Sequence, residues 1–184
     1  IKDLASRTPG LVVVPNGSPY ERAKDDTRAS LVSRRAQEIG APLVYVNMTG
    51  GQDDLVFDGD SLIVNRDGTL ISRAPQFASG LYVADLEVLP RSSEPDCVIS
   101  EEGSVVAEKV INSIAERLSD EEEVWSALVM GLCDYVKKNG FTSVALGLSG
   151  GIDSALVATL AVDALGKDRV YGVSLPSQFS SGHS

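Results

Sequence analysis

The clearest chemical pattern in the sequence is the loop Ser149-Gly150-Gly151-Ile152-Asp153-Ser154. It follows the apolar run 143–148, which is typical of a strand, and precedes residues 155–165, which are typical of a helix that ends at Gly166. Backbone N–H groups converge at such a strand-to-helix turn, and the helix dipole favours an anion there. The glycines allow a phosphate to approach the backbone, and the serines add hydroxyl donors. The pattern therefore predicts a pyrophosphate-binding loop.

A carboxylate within this loop, that of Asp153, could hold a Mg²⁺ ion that neutralises phosphate oxygens. The loop is not a Walker loop, because Gly-x-x-x-x-Gly-Lys-Ser/Thr is absent, and it also lacks the Gly-x-Gly-x-x-Gly dinucleotide fingerprint. The alternative is a glycine-rich turn that binds nothing. Two serines and an acid are poor helix formers, so their presence here favours the ligand-binding interpretation.

Composition limits the partners of such a loop. The 184 residues include 16 Lys and Arg against 26 Asp and Glu, a net charge of −10. This balance disfavours duplex nucleic acid and anionic membranes as partners, so a nucleotide site is expected in a loop. No apolar run reaches the roughly 18–20 residues that span a bilayer. Cys97 and Cys133 indicate neither a disulfide framework nor a zinc site, and we expect a cytoplasmic location.

Periodicity predicts the elements that surround these residues. Upstream of the loop it indicates a helix over 25–39, a hairpin over 61–71, and buried strands at 11–14, 43–46 and 81–84. A helix over 124–138 begins after a capping box formed by Ser119 and Glu122. A strand at 170–175 completes a βαβ unit with the loop, whose two strands must be parallel.

The loop resembles the PP-loop of the N-type ATP pyrophosphatases. Together with residues 155–158 and 170–181, it is similar to the synthetase domain of bacterial NAD+ synthetases. The resemblance implies that ATP is cleaved between its α and β phosphates to activate a carboxylate as an adenylate, which a nitrogen nucleophile displaces. It implies that Gly147, Leu148 and the loop residues 149–154 bind ATP, with Asp153 holding Mg²⁺. Three further serines would lie near the nucleotide, namely Ser177, Ser180 and Ser181.

Residues 16–28 and 50–61 resemble the second half of a nitrilase-type glutaminase domain. The order of the two resemblances matches that of the glutamine-dependent NAD+ synthetases. The resemblance implies that Ser18 and Lys24 contact glutamine, although from its sequence alone Ser18 fits a plain turn residue. The Glu-Lys-Cys triad of that glutaminase is expected upstream of Ile1, so no catalytic residue is assigned within the chain.

The resemblance implies an α/β fold in three parts. Residues 1–86 would form the C-terminal part of a nitrilase-like αββα sandwich and residues 87–119 a linker. Residues 120–184 would form the first βαβ unit of a Rossmann-like, parallel-sheet ATP pyrophosphatase domain. As an internal fragment of a longer enzyme, the chain is expected to be inactive by itself.

The activity implied for the whole enzyme is ATP-dependent amidation of deamido-NAD+ to NAD+ through an acyl-adenylate, with ammonia supplied by glutamine. The enzyme would be a homo-oligomer, at least a dimer through the synthetase domain, and would bind neither nucleic acid nor membranes. Two alternatives remain open. The chain could derive from another PP-loop amidotransferase, or it could be a non-catalytic ATP-binding or assembly module.

Overall fold

The computed structural model describes residues 1–89, 96–99 and 110–174. Ser177, Ser180 and Ser181 therefore lie outside the described residues. The described helices are α1 (Lys2–Ser6), α2 (Lys24–Ile39), α3 (Asp120–Lys138) and α4 (Ile152–Leu165). The described strands are β1 (Val12–Asn16), β2 (Leu43–Asn47), β3 (Thr49–Gln52), β4 (Leu55–Asp58), β5 (Leu62–Val64), β6 (Leu70–Arg73), β7 (Val144–Leu148) and β8 (Val170–Ser174).

The first part of the chain builds a four-stranded sheet in the order β1-β2-β5-β6. Strands β1 and β2 are parallel, with Asn16 opposite Asn47, whereas β5 and β6 form the predicted antiparallel hairpin. The parallel pair requires a crossover, and helix α2 supplies it. The carboxyl ends of β1 and β2 consequently lie side by side, where ligands of parallel strands bind.

Helix α2 covers one face of this sheet. Its buried positions recur every three or four residues, and Val32, Ala36 and Ile39 pack against apolar side chains of the sheet, including Leu43 and Leu62. On the opposite face Val13 and Val46 remain 55% and 46% exposed. The structure thus contains one helical layer and one sheet layer of the predicted sandwich.

Two features of this part differ from the sequence expectations. Strands β3 and β4 form an antiparallel hairpin that the sequence did not indicate, because Gly50 and Gly51 are weak strand formers. Residues 81–84 form no strand, and Leu81 is 92% exposed, so that prediction was wrong. The free edge of β6 is paired instead with residues 113–115, through Arg73.

The second part of the chain consists of α3 followed by the β7–α4–β8 unit. Strands β7 and β8 are parallel over five residue pairs, as predicted. The capping box of α3 is present, because the Glu122 N–H donates to Ser119 Oγ (3.3 Å) and the Ser119 N–H donates to Glu122 Oε2 (2.9 Å). Among the described residues, no helix is both long and apolar enough to cross a membrane.

Candidate functional site

The glycine-rich loop connects the carboxyl end of β7 with the first turn of α4, as predicted. Gly147 and Leu148 are the last two residues of β7, and Ile152 is the first residue of α4. Gly150 has a φ of 76°, a left-handed conformation that glycine adopts without a steric penalty. The glycine at position 150 therefore meets a backbone requirement of the turn.

Two serine hydroxyls bridge the mouth of this loop. Ser149 Oγ lies 3.2 Å from Ser154 Oγ, and the Ser154 hydroxyl donates to the Gly151 carbonyl (3.0 Å). The Gly151 N–H donates to Ser149 Oγ (3.4 Å). Since no side chain caps α4, the N–H groups of its first turn remain available to an anion.

Asp153 lies in the first turn of α4 and is exposed. Within the described part of the chain, its carboxylate has no hydrogen-bonding or ion-pair partner. The same residues contain no group of three or more His, Cys, Asp or Glu side chains that could hold a metal by themselves. A hard cation at Asp153 would therefore take its remaining ligands from phosphate oxygens and water, which is a common arrangement for Mg²⁺.

Ser18 and Lys24 line one cavity of about 270 Å³ between α2 and the strands β1 and β2. Arg28, Arg35 and Tyr45 line the same cavity. The Lys24 ammonium lies 3.5 Å from the Glu21 carboxylate, and the Lys24 side chain is 34% exposed, so the cation can reach a ligand. Ser18 and Lys24, which are six positions apart in the sequence, thus line the same cavity.

Sequence reasoning missed Asn47, which is 6% exposed and ends β2. Its Oδ1 accepts the Ser18 N–H (2.8 Å), and its Nδ2 donates to the Ser18 carbonyl (3.1 Å). The one signal that could have identified it is its position, because a polar residue directly after a buried parallel strand points to the ligand-binding edge.

Beneath the cavity lies a buried ionic network that was also missed. Arg28 donates to both carboxylate oxygens of Asp58 (2.9 and 3.0 Å), and Arg73 donates to both oxygens of Asp60 (2.5 and 2.9 Å). The side chain of Asp58 is 2% exposed and that of Asp60 is fully buried. Bidentate pairs of this kind fix side chains more firmly than single contacts.

Burial and the ion pairs act in opposite directions on the pKa values of this network. Burial raises the pKa of Asp60 above its ordinary value of 3.8, while the hydrogen bond and the charge of Arg73 oppose the shift. Burial by itself would lower the pKa of Arg28, but the hydrogen bonds that Arg28 donates to Asp58 and the negative charge of Asp58 outweigh burial and raise that pKa. Removal of either partner would leave a charge without compensation in a site with little water.

Helix α3 is fastened to the β3–β4 hairpin at Gly51. The Gly51 N–H donates to Asp134 Oδ2 (2.7 Å), and Lys138 Nζ donates to the Gly51 carbonyl. A Cβ atom at Gly51 would lie 3.2 Å from both Asp134 Cβ and Gly131 Cα. The close approach of helix and hairpin thus depends on glycine at this position.

Family models match both parts of the chain. Residues 7–89 match the carbon-nitrogen hydrolase family, and residues 124–184 match the NAD synthase family. The fold agrees, since the first match covers the sheet with α2 and the second covers α3 with the β7–α4–β8 unit. The first part of the chain is thus similar to carbon-nitrogen hydrolases and the second part to NAD synthases.

Relatives with the same pairing match nearly the whole chain. It is 42% identical over 184 residues to the glutamine-dependent NAD(+) synthetase of Synechocystis sp., and 43% identical over 178 residues to that of Rhodobacter capsulatus. These alignments cover 100% and 97% of the chain, and 30% of each relative. The chain is similar to glutamine-dependent NAD+ synthetases over nearly its whole length, and it spans about a third of the length of the curated relatives it matches.

A solved structure shows the same arrangement. The glutamine-dependent NAD+ synthetase from Acinetobacter baumannii, in complex with adenosine diphosphate, superposes with a TM-score of 0.79 at 37% sequence identity. The match covers 98% of this chain and 31% of that one. The sheet with α2 and the βαβ unit therefore have counterparts in a glutamine-dependent NAD+ synthetase of known structure.

Proposed function

We propose that this chain is the part of a glutamine-dependent NAD+ synthetase that contributes the PP-loop for ATP and one side of the glutamine pocket. The whole enzyme would amidate deamido-NAD+ to NAD+ through an acyl-adenylate, with glutamine as the nitrogen source. The observation that supports this most directly is the loop 149–154, whose two serines and uncapped helix terminus lie at the carboxyl end of a parallel strand. The ADP complex of the Acinetobacter baumannii relative supports a nucleotide ligand.

The loop residues fit the chemistry of ATP activation. A carboxylate is a poor electrophile, and its adenylation supplies a good leaving group. Gly150, Gly151 and the hydroxyls of Ser149 and Ser154 would hold the departing pyrophosphate through hydrogen bonds. Gly147 and Leu148 would form the adjacent floor of the site. A bound Mg²⁺ would neutralise phosphate charge. The exposed carboxylate of Asp153, which has no hydrogen-bonding or ion-pair partner among the described residues, is suited to hold it.

The cavity of Ser18 and Lys24 would bind glutamine. Its open polar groups include the Lys24 ammonium, which can pair with a carboxylate of an amino acid. The chain would thus participate in both half-reactions, and the catalytic Glu-Lys-Cys triad of the glutaminase would come from the remainder of the enzyme.

The synthetase part also presents an apolar surface suited to self-association. Leu128 on α3 and Leu156 and Val157 on α4 are between 50% and 56% exposed and line one groove of about 560 Å³. We propose that the enzyme is at least a dimer through this domain. Light scattering on the full-length enzyme would give its mass, and a monomer would contradict the proposal.

The decisive experiment uses the full-length enzyme that contains this chain, with glutamine or free ammonia as the nitrogen source. We expect Asp153→Asn to reduce ATP-dependent NAD+ formation from both sources by at least about a hundredfold, because the metal and phosphate contacts act in the transition state. The matched control is Asp163→Asn on the same helix, which removes a carboxylate charge but keeps an oxygen that can accept the hydrogen bond from Trp125 Nε1 (3.0 Å), and it should remain active.

Three outcomes would contradict the proposal. Undiminished synthesis by Asp153→Asn would show that the metal assignment is wrong. Amidation of XMP or aspartate in place of deamido-NAD+ would identify another PP-loop amidotransferase. ATP binding by the wild-type enzyme without any amidation would instead indicate a non-catalytic module.

A further inference from the structure

The side chain of Asn47 makes hydrogen bonds with both the N–H and the carbonyl group of Ser18. Its Oδ1 accepts the Ser18 N–H at 2.8 Å, and its Nδ2 donates to the Ser18 carbonyl at 3.1 Å. An amide side chain carries one acceptor and one donor side by side, which matches the N–H and C=O groups of a single residue. These two bonds together fix both the position of Ser18 and the rotation of its peptide groups.

A second set of contacts holds Asn47 in place. Its Nδ2 lies 3.4 Å from Asp58 Oδ1, and its backbone N–H donates to Ser61 Oγ (3.0 Å). The Asp58 carboxylate can only accept hydrogen bonds, so it requires the nitrogen of the amide to face it and determines which way the amide points. Asp58 is itself held by two hydrogen bonds from Arg28, which lines the cavity.

The position of Asn47 in the sheet explains why it can reach Ser18. Asn16 and Asn47 are paired at the carboxyl ends of the parallel strands β1 and β2, and the Met48 N–H donates to the Asn16 carbonyl (2.9 Å). The chain that leaves β1 therefore passes directly over the end of β2. At 6% exposure, Asn47 has little access to water that could replace its bonds to Ser18.

We propose that Asn47 is a positioning residue for glutamine: its amide holds Ser18 in the orientation that the pocket needs, without touching the substrate. This inference rests on the proposed function, because it assumes that Ser18 and Lys24 bind glutamine. Its effect is confined to glutamine use, since the PP-loop lies in the other part of the chain.

The test compares glutamine-supported and ammonia-supported NAD+ synthesis in the full-length enzyme. We expect Asn47→Ala to raise the KM for glutamine about tenfold, the size expected when a buried hydrogen bond that orders a binding residue is lost. Ammonia-supported synthesis should remain at its wild-type rate, a result that general destabilisation would not produce.

A second variant and a control sharpen the comparison. Asn47→Asp keeps the oxygen that accepts the Ser18 N–H, but it loses the N–H group that donates to the Ser18 carbonyl. It also places a second carboxylate near Asp58. The KM of this variant for glutamine should therefore also rise. The control Ser72→Ala removes a side chain of similar burial, 5% exposed, that donates to the Ser113 carbonyl (2.8 Å) away from the cavity. Its KM for glutamine should not change.

The outcomes separate this inference from the proposed function. An unchanged KM in Asn47→Ala, in an enzyme that uses glutamine normally, overturns the inference and leaves the function intact. Loss of both activities in both Asn47 variants shows a purely structural role and also overturns it. A wild-type enzyme that makes no NAD+ with either nitrogen source contradicts the proposed function itself.

Discussion

At the level of single residues, a change at Lys24 distinguishes the use of glutamine from the use of free ammonia in the proposed reaction. It lines the cavity with Ser18, and its partly exposed ammonium is the cation that a glutamine carboxylate would meet. The PP-loop does not involve this residue. A change at Lys24 should therefore affect the use of glutamine and leave the use of ammonia unaffected.

We expect Lys24→Met to raise the KM for glutamine about tenfold in the full-length enzyme, because one charge-assisted hydrogen bond to the substrate is lost. Lys24→Arg preserves the charge and serves as the matched control, with a smaller rise. Steady-state kinetics with glutamine and with ammonia would measure both. If Lys24→Met also slowed the ammonia-supported reaction, Lys24 would not belong to the glutamine pocket alone.

At the level of elements, helix α3 depends on its capping box, which is local, and on its contact with the β3–β4 hairpin, which is distant in sequence. Hydrogen bonds from the Ser119 backbone and side chain lower the pKa of Glu122 below its ordinary value of 4.5. A carboxyl group with a lowered pKa in the folded state stabilises the fold above its unfolded-state pKa. That contribution is lost as the pH falls through the folded-state value.

The capping box therefore predicts a pH-dependent difference between the wild type and Glu122→Gln. At neutral pH the wild type should have the larger free energy of unfolding, because the carboxylate accepts its hydrogen bonds from Ser119 with a full charge. In acid, below the folded-state pKa, the two proteins should converge. Urea denaturation across this range would measure the difference, and a gap that persists in acid would contradict the prediction.

The contact at Gly51 predicts a steric effect on α3. Gly51→Val should lower the free energy of unfolding by about 1–3 kcal/mol. The Cβ atom of the new side chain would already lie 3.2 Å from Asp134 Cβ and Gly131 Cα, so its methyl groups have no room beside α3. Gly147→Ala is the control for stability, since no atom lies within 4 Å of the Cβ it would add. Equal destabilisation of the two variants in urea denaturation would show that α3 does not pack closely on the hairpin.

At the level of the whole molecule, the buried charges connect elements that are distant in sequence. Asp25 on α2 pairs with Arg73 on β6 (3.4 Å) and with Arg117, which leads into α3. Arg28 and Asp58 join α2 to β4 in the same region. The network thus ties the helix, the sheet and the segment before α3 into one arrangement.

This network predicts an unequal effect of two arginines on one helix. Arg28→Met should lower the free energy of unfolding by about 3–5 kcal/mol, because Asp58 would remain buried without its cation. Arg35→Met, which breaks a partly exposed pair with Glu38, should cost no more than about 1 kcal/mol. Urea denaturation of both variants would test this, and similar losses would contradict the role of burial.

Several elements and the candidate loop were predictable from the sequence because their causes are local. Gly150 and its neighbours specify a turn, Ser119 and Glu122 specify a helix start, and the 3.6-residue period of α2 specifies its buried face. The parallel β7–α4–β8 unit followed from the same rules, since a strand, a helix and a strand at this spacing require a crossover. Each of these signals lies within one element or at its ends.

The tertiary structure decided what depends on residues far apart in the chain. The contact of Asn47 with Ser18 follows from the pairing of β1 with β2, and the contact of Asp134 with Gly51 joins residues 83 positions apart. The free edge of β6 likewise pairs with residues 113–115, a contact that no local pattern indicated. Sequence patterns report which side chains an element buries, whereas strand register and packing determine which buried side chains meet. The glycine-rich loop between β7 and α4 could therefore be predicted from the sequence, whereas the contacts that Asn47 makes with Ser18 could not.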